Sequence, residues 1–358
     1  MAPGHGPAAG ERRQDTEESA MSEIRDAVTA LLNGHATRSA DGGGDERARR
    51  AAFAELVAQG WTRVGLAEEL GGGGGALADA ADVAAAAAYL GAATPLADQV
   101  LIANVAATLL GVTLPETATC VMPVTADAGR AARVPWASWA SHLLVADRAG
   151  GVALVTAQDV RVTPGTNLAG LPSDAVELDG PVKGADGADA ADLLTVLGAL
   201  ARSVQMAAAL RRCQDLSVTY ARQRQQFGRA LADLPVIQQE LAALAGEVAA
   251  AEAASRAAIE TVAAGTGPMT PAGAAFRAVA AAKVRAGLAA TAGARSAHQI
   301  HGAIGTTREY ELHVHTGSLW AWRDEYGDER TWAQRLGETL QAAPEGFWAS
   351  LVPAAPTA

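Results

Sequence analysis

Tyr220-Ala-Arg-Gln-Arg-Gln-Gln-Phe-Gly228 and, about seventy residues on, Gln299-Ile-His-Gly-Ala-Ile-Gly305 are the two stretches on which the fold turns. Each closes a long helical pattern with polar residues and glycines in a defined order. The first ends a periodicity that runs from Ala191 to Arg224, and Gly228 is the residue type that tolerates a left-handed helix stop. The second ends a helix predicted from about Pro271 to His301. Between them Pro235 suits a first helical turn, and Ile237, Leu241, Leu244 and Val248 recur at helical spacing as one apolar stripe.

Upstream, Ile24, Val28, Leu31 and Leu32 mark a first helix, and Phe53, Leu56 and Val57 a second, with a polar, Gly-rich loop from His35 to Glu46 between them. Further helices are expected over roughly 78–110, broken near Thr94-Pro95. The glycine run Gly71 to Gly75 is not a phosphate loop, because no strand precedes it and no Gly-Lys-Ser/Thr follows. Between Thr119 and Leu178 the period changes. Cys120-Val-Met-Pro-Val, Leu143-Leu-Val-Ala, Val152-Ala-Leu-Val-Thr and Val160-Arg-Val-Thr are short β-rich runs divided by Gly, Asp and Pro, which predicts a small antiparallel sheet or barrel. The expected architecture is mainly α with a small β domain. It comprises a disordered extension over 1–20, an N-terminal α-helical domain over 21–118, a β domain over 119–185, a C-terminal helical bundle over 186–340 and a loose tail over 341–358. Met21 is a possible alternative start.

Composition excludes several functions. The chain has 358 residues, 49% of them apolar and only 4% aromatic, so closely packed Ala-rich helices are favoured over thick aromatic sheet cores. A net charge of -11, with no local Lys/Arg run, offers no footprint for nucleic acid. Cys120 and Cys213 lie far apart with no His/Cys cluster, and read as packing residues. The Ala-rich run from Val83 to Ala93 is too short and too weakly apolar to span a membrane, and no basic-then-apolar leader is visible, so a soluble cytoplasmic protein is expected. His298, His301, His313 and His315 lack carboxylate or cysteine partners at ligand spacing. They are not assigned to a metal, and His313 and His315 are read as helix-face or interface residues.

The order Tyr220-x-x-x-Arg224-x-x-Phe227-Gly228, then Gln299-x-x-Gly302-x-x-Gly305, resembles the acyl-CoA dehydrogenase family from about residue 22 to 335. Gly60-Trp61, Glu68-Glu-Leu-Gly-Gly72 and Thr306-Thr-Arg-Glu-Tyr310 support the resemblance. It implies an N-terminal helical domain, a middle β domain and a C-terminal four-helix bundle, with FAD bound between subunits of a dimer or tetramer. It implies that Arg224 approaches the FAD pyrophosphate of a neighbouring subunit through forked, charge-assisted bonds. Phe227 would pack near the cofactor. Gln299, Gly302 and Gly305 would form the close-approach segment for the adenosine half, and Thr307 would follow at the flavin side.

The implied reaction is α,β-dehydrogenation of an acyl thioester on CoA or a carrier protein. A Glu carboxylate takes the α-proton in that family, and a general base must lie within hydrogen-bond reach of that proton. The family's usual base position falls here on Tyr326, before Gly327-Asp328, and the alternative position falls near Gly198, in a stretch from Leu193 to Gln214 without any carboxylate. Glu325 is the nearest substitute, but on a helix a one-residue shift rotates a side chain by about 100°. The family's Thr-Glu-Pro…Gly-Ser-Asp segment is not reproduced by Met122-Pro-Val-Thr-Ala-Asp-Ala-Gly129, and Pro164-Gly-Thr-Asn-Leu-Ala-Gly170 is a turn-rich connection without assigned chemistry. The pattern resembles the reduced subunits of heteromeric acyl-CoA dehydrogenases, in which a partner chain supplies the base. A structural or regulatory partner without productive flavin, and a flavin-independent lyase or cyclase reusing the acyl pocket, remain open alternatives.

Overall fold

The structure, a computed structural model, describes residues 23–33, 46–183, 187–265, 269–270, 273–343 and 346. The expected extension over 1–20, the alternative start Met21, the loop between the first two helices and most of the tail lie outside the described residues. The N-terminal block contains helices α1 (23–33), α2 (Glu46–Ala58), α3 (Leu77–Tyr89) and α4 (Leu96–Leu110). Alanine dominates α3, which lets its neighbours approach closely, and the chain breaks before Pro95 as expected.

Helix α4 has a π-helical centre at Gln99–Ala103, and the residues on either side of that turn tie it to its surroundings. Gln99 donates to Asn104 Oδ1 at 2.9 Å and accepts from the Val121 backbone N–H, while Asn104 donates to the carbonyls of Thr62 and Val64. Both amides are buried, and the nitrogen and the oxygen of each have a partner, so the turn is a fixed joint between helices and sheet.

Six strands follow: β1 (Val121–Ala126), β2 (Arg130–Pro135), β3 (His142–Asp147), β4 (Val152–Thr156), β5 (Arg161–Thr163) and β6 (Ser173–Glu177). A small β unit forms as expected, but the antiparallel sheet or barrel is corrected in its pairing. There are two three-stranded sheets, ordered β1-β3-β4 and β2-β6-β5, and β1 runs parallel to β3. The cause is local. After the tight turn at Ala128-Gly129, β2 takes a register shift between Ala131 and Val134, with Arg133 at φ 56, and leaves β1 for the second sheet. Strand β3 is buried along its whole length, which is why it reads as a continuous apolar run.

The C-terminal bundle is built from α5 (Gly187–Gln223), α6 (Pro235–Ala263), α7 (Ala274–His301) and α8 (Leu312–Asp324), with α9 (Glu329–Ala342) laid on α7. Helix α5 is the hub, packed against α6, α7, α8, α3 and the first sheet. It is long and apolar enough to cross a membrane, but 83% of its most apolar window is buried inside the bundle. Both cysteines are buried and free, and burial pushes each thiol up to about 12.

The expected helix stop at Phe227-Gly228 is also corrected. Helix α5 ends at Gln223, and β7 (Gln225–Gln226) pairs with β8 (Arg229–Ala230) in a minimal hairpin. Phe227 and Gly228, with φ of 53 and 77, are the two central residues of its turn. Positive φ at both is what a two-residue type I′ connection requires.

Candidate functional site

A cleft of about 560 Å³ lies between the second sheet and the end of α8, lined by Thr125, Arg133, Asn167, Thr195, Glu325 and Tyr326 among others. The chain reversal between α8 and α9 builds its inner wall. Helix α8 stops at Asp324, Glu325 is extended (φ -68, ψ 139), and Tyr326 and Gly327 take positive φ of 57 and 94. Lys283 on α7, wholly buried, donates to the carbonyls of Trp322 and Arg323 at 2.7 and 2.9 Å. An amine donating at a helix C-terminus satisfies carbonyls that have no intrahelical partner. Asp328 accepts from the Thr331 N–H and starts α9.

Tyr326 and Gly198, the two positions where a base was expected, meet. The Tyr326 ring lies against the α5 backbone at Gly198, so closely that a Cβ there would overlap the ring. The Tyr326 hydroxyl is buried and faces Asp98 without a hydrogen bond of normal geometry. Burial, and then the Asp98 charge, hold this phenol well above its ordinary range, so it is protonated.

Glu325 is not on a helix, so the rotation argued from a helical register does not apply. Its side chain does reach the cleft wall, but both oxygens are engaged. Arg202 Nε donates to Oε2 at 2.6 Å and Asn167 Nδ2 to Oε1 at 2.9 Å. Arg202, 1% exposed, also pairs with Asp98 through two bonds of 2.7 and 3.2 Å and donates to Gln205. Burial opposes the Arg202 charge, but Asp98 and Glu325 outweigh it and keep the guanidinium above its usual range. Burial raises the Asp98 carboxyl against the pull of Arg202. One cation therefore serves two carboxylates, and Glu325 reaches a substrate proton only by giving up a charged partner.

The two opening motifs also come together. Tyr220 stacks on His301 with ring centroids 4.7 Å apart, and Tyr310 closes the cluster at 4.9 Å from His301 and 6.0 Å from Tyr220. Around this cluster, Arg224, Phe227, Gln299, Gly302 and Thr307 are exposed, Phe227 at 87%. Gly302 has φ 64 and ψ -144, a backbone conformation that glycine alone adopts readily. Gly305 instead is buried against His301 and Leu312 and serves packing. His315 lies on the buried face of α8, and His313 on the same helix bonds the Tyr310 carbonyl from a half-buried position. Among the described residues no three or more His, Cys, Asp or Glu side chains are grouped to hold a metal.

Sequence reading missed Asp98, Arg202, Asn167 and Lys283. A signal existed for three of them. Asp98 stands alone in the apolar run from Leu96 to Ala107 apart from two amides, Arg202 alone in α5 between Leu193 and Leu210, and Lys283 alone in an Ala-rich face of α7. A lone charge in a buried run needs a partner.

Residues 186–320 match the acyl-CoA dehydrogenase C-terminal domain. The chain is similar in fold to a chain of the ChsE4-ChsE5 complex from Mycobacterium tuberculosis, with a TM-score of 0.78, 22% identity, and coverage of 91% of this chain and 98% of that one. The Tcur3481-Tcur3483 steroid ACAD gives a TM-score of 0.75 at 20% identity, covering 90% and 98%. Butyryl-CoA dehydrogenase from Megasphaera elsdenii gives 0.70 at 17% identity, covering 88% and 98%. The chain thus shares the fold of these structures, and both motifs lie in the stretch that matches the acyl-CoA dehydrogenase C-terminal domain, as expected. No curated protein matches it in sequence.

Proposed function

We propose that this chain is an FAD-binding subunit of a heteromeric acyl-CoA dehydrogenase, acting on an acyl thioester of CoA or a carrier protein, with a partner chain supplying the catalytic base. The observation that carries this reading is the wall of the cleft. A phenol packed on Gly198 fills the space where a base would stand, and the one nearby carboxylate, Glu325, is held by Arg202 and Asn167. Support comes from two similar structures whose names are those of paired chains, ChsE4-ChsE5 and Tcur3481-Tcur3483.

The residues fit a flavin in two places. Thr125 Oγ1 is buried in the cleft wall without a hydrogen-bond partner among the described residues, and can bond a polar ring edge. The exposed Arg224, Phe227, Gln299, Gly302 and Thr307 form a surface with a guanidinium for phosphate, backbone unobstructed by a side chain at Gly302, and an apolar ring. FAD bound there supplies a two-electron acceptor. This chain's own residues bind and orient it, and Tyr326 and Glu325 neither take nor give a proton in the step.

Co-purification with a homologous chain tests the reading. The expected outcome is a stable complex, yellow with bound FAD, that dehydrogenates an acyl thioester, while this chain alone does not. Dehydrogenation by the lone chain would refute the partner role, and a colourless complex that stays colourless with added FAD would leave a structural or regulatory subunit. Arg224→Ala should lower the flavin content of the complex, measured by absorbance after denaturation. Unchanged content removes the role given to that residue.

A further inference from the structure

Thr166, Asn167 and Leu168 of the turn from Pro164 to Gly170 line the cleft, and the turn's bonds divide it into a fixed base and a tip held from outside. At the base, Ser173 N–H donates to the Gly165 carbonyl at 3.0 Å and Gly165 N–H donates to Asp174 Oδ1 at 3.1 Å. Within the turn, Asn167 Oδ1 accepts from the N–H groups of Ala169 and Leu171, and Asn167 N–H donates to the Leu171 carbonyl. Both acceptor sites of Asn167 Oδ1 are thus used, which leaves Nδ2 to point outward. It donates to Glu325 Oε1 at 2.9 Å, and among the described residues this is the one hydrogen bond from the turn to the bundle.

The tip is otherwise lightly held. Leu168 lines the cleft yet is 74% exposed, and Ala169 rests over Gly317 of α8, where there is no side chain to grip it. Glu325, by contrast, is anchored behind through Arg202 to Asp98 on α4. A light tip meets a braced acceptor across an opening.

We propose that residues 164–170 form a strap over the cleft and that the Asn167–Glu325 hydrogen bond is its latch, which opens for ligand entry and release. The strap rests on the proposed reading only for the identity of the ligand, FAD. Leu168 swings with the strap, so an apolar side chain and not a charge meets whatever enters. One hydrogen bond to a charged group is worth roughly tenfold or more in an equilibrium between open and closed forms.

The test uses the full chain carrying Thr195→Cys, a position on the cleft wall, with maleimide as the probe of access; the native Cys120 and Cys213 are buried. Asn167→Asp keeps the two acceptor bonds inside the strap but sets a carboxylate against Glu325, and labelling should accelerate by about tenfold. Adding Glu325→Gln returns a donor across the latch, and the rate should fall back to near the starting value. If Asn167→Asp lowers the melting temperature, Glu325→Ala removes the bundle-side acceptor and leaves the strap's own bonds intact, with the same acceleration expected. A labelling rate that neither variant moves, or one that Glu325→Gln fails to restore, overturns the strap. Accelerated labelling together with unchanged FAD release supports the strap and refutes flavin binding in this cleft, so the two ideas fail separately.

Discussion

Gly198 is where the inner wall of the cleft is most sensitive to a single atom. In an open helix Gly→Ala stabilises by about 1 kcal/mol, but here the new methyl enters the Tyr326 ring. Overpacking of this kind costs about 1–3 kcal/mol, so Gly198→Ala should be destabilising on balance in urea unfolding. Tyr326→Phe should instead be neutral or stabilising by up to about 1 kcal/mol, because it removes a buried hydroxyl with no good acceptor. A more stable Gly198→Ala would mean that the ring and the glycine are not in contact. Both positions stood out in the sequence, each as a missing carboxylate. That they touch did not, because no local pattern records a contact between residues so far apart in the chain. Glu325 was found for its charge, while its partners Arg202 and Asn167 come from other elements and left no mark near it.

The end of α8 depends on Lys283, and this makes the element sensitive to pH. Burial, then the Arg202 charge, drives the ammonium down to about 7, against the opposing pull of Glu325, Asp324 and Glu329. The unfolded lysine titrates near 10.5, so the unfolded chain holds the extra proton between these two values. Stability from this group is therefore fully present above pH 10.5, declines as pH falls, and is lost by about pH 7. Lys283→Met should remove a slope of up to about 1.4 kcal/mol per pH unit in chemical denaturation across this window. An identical slope in wild type and variant would show that the amine does not titrate there. At this scale the helices were largely legible, since α3 to α7 follow from periodicity, Pro95 and Pro235. The sheet direction was not, because β1 and β3 are parallel only through the departure of β2, and a positive φ at Arg133 has no composition signal.

Across the whole molecule, Asn167, Glu325, Arg202 and Asp98 make one line of bonds from the sheet region through the bundle to the N-terminal helices. Arg202→Met leaves Asp98 buried without its counter-charge and should cost about 3–5 kcal/mol in thermal unfolding. Combining it with Asp98→Asn removes the more deeply buried of the two carboxylates, leaves Glu325 without its cation, and should recover part of that loss. Equal losses in the single and double variants would mean that the pair does not act as a unit. The order of helices, sheet and bundle was readable from the changes in period, whereas this line of charge was not, because its members are single residues in separate elements.

The hairpin at Phe227-Gly228 has a consequence for how association would begin. Its two bonded strands hold an aromatic ring 87% exposed on a backbone already fixed at positive φ. The ordering entropy of that segment is spent during folding, before any encounter. A surface that receives the ring meets a rigid peg, so docking there should be limited by diffusion and orientation rather than by a loop finding its shape.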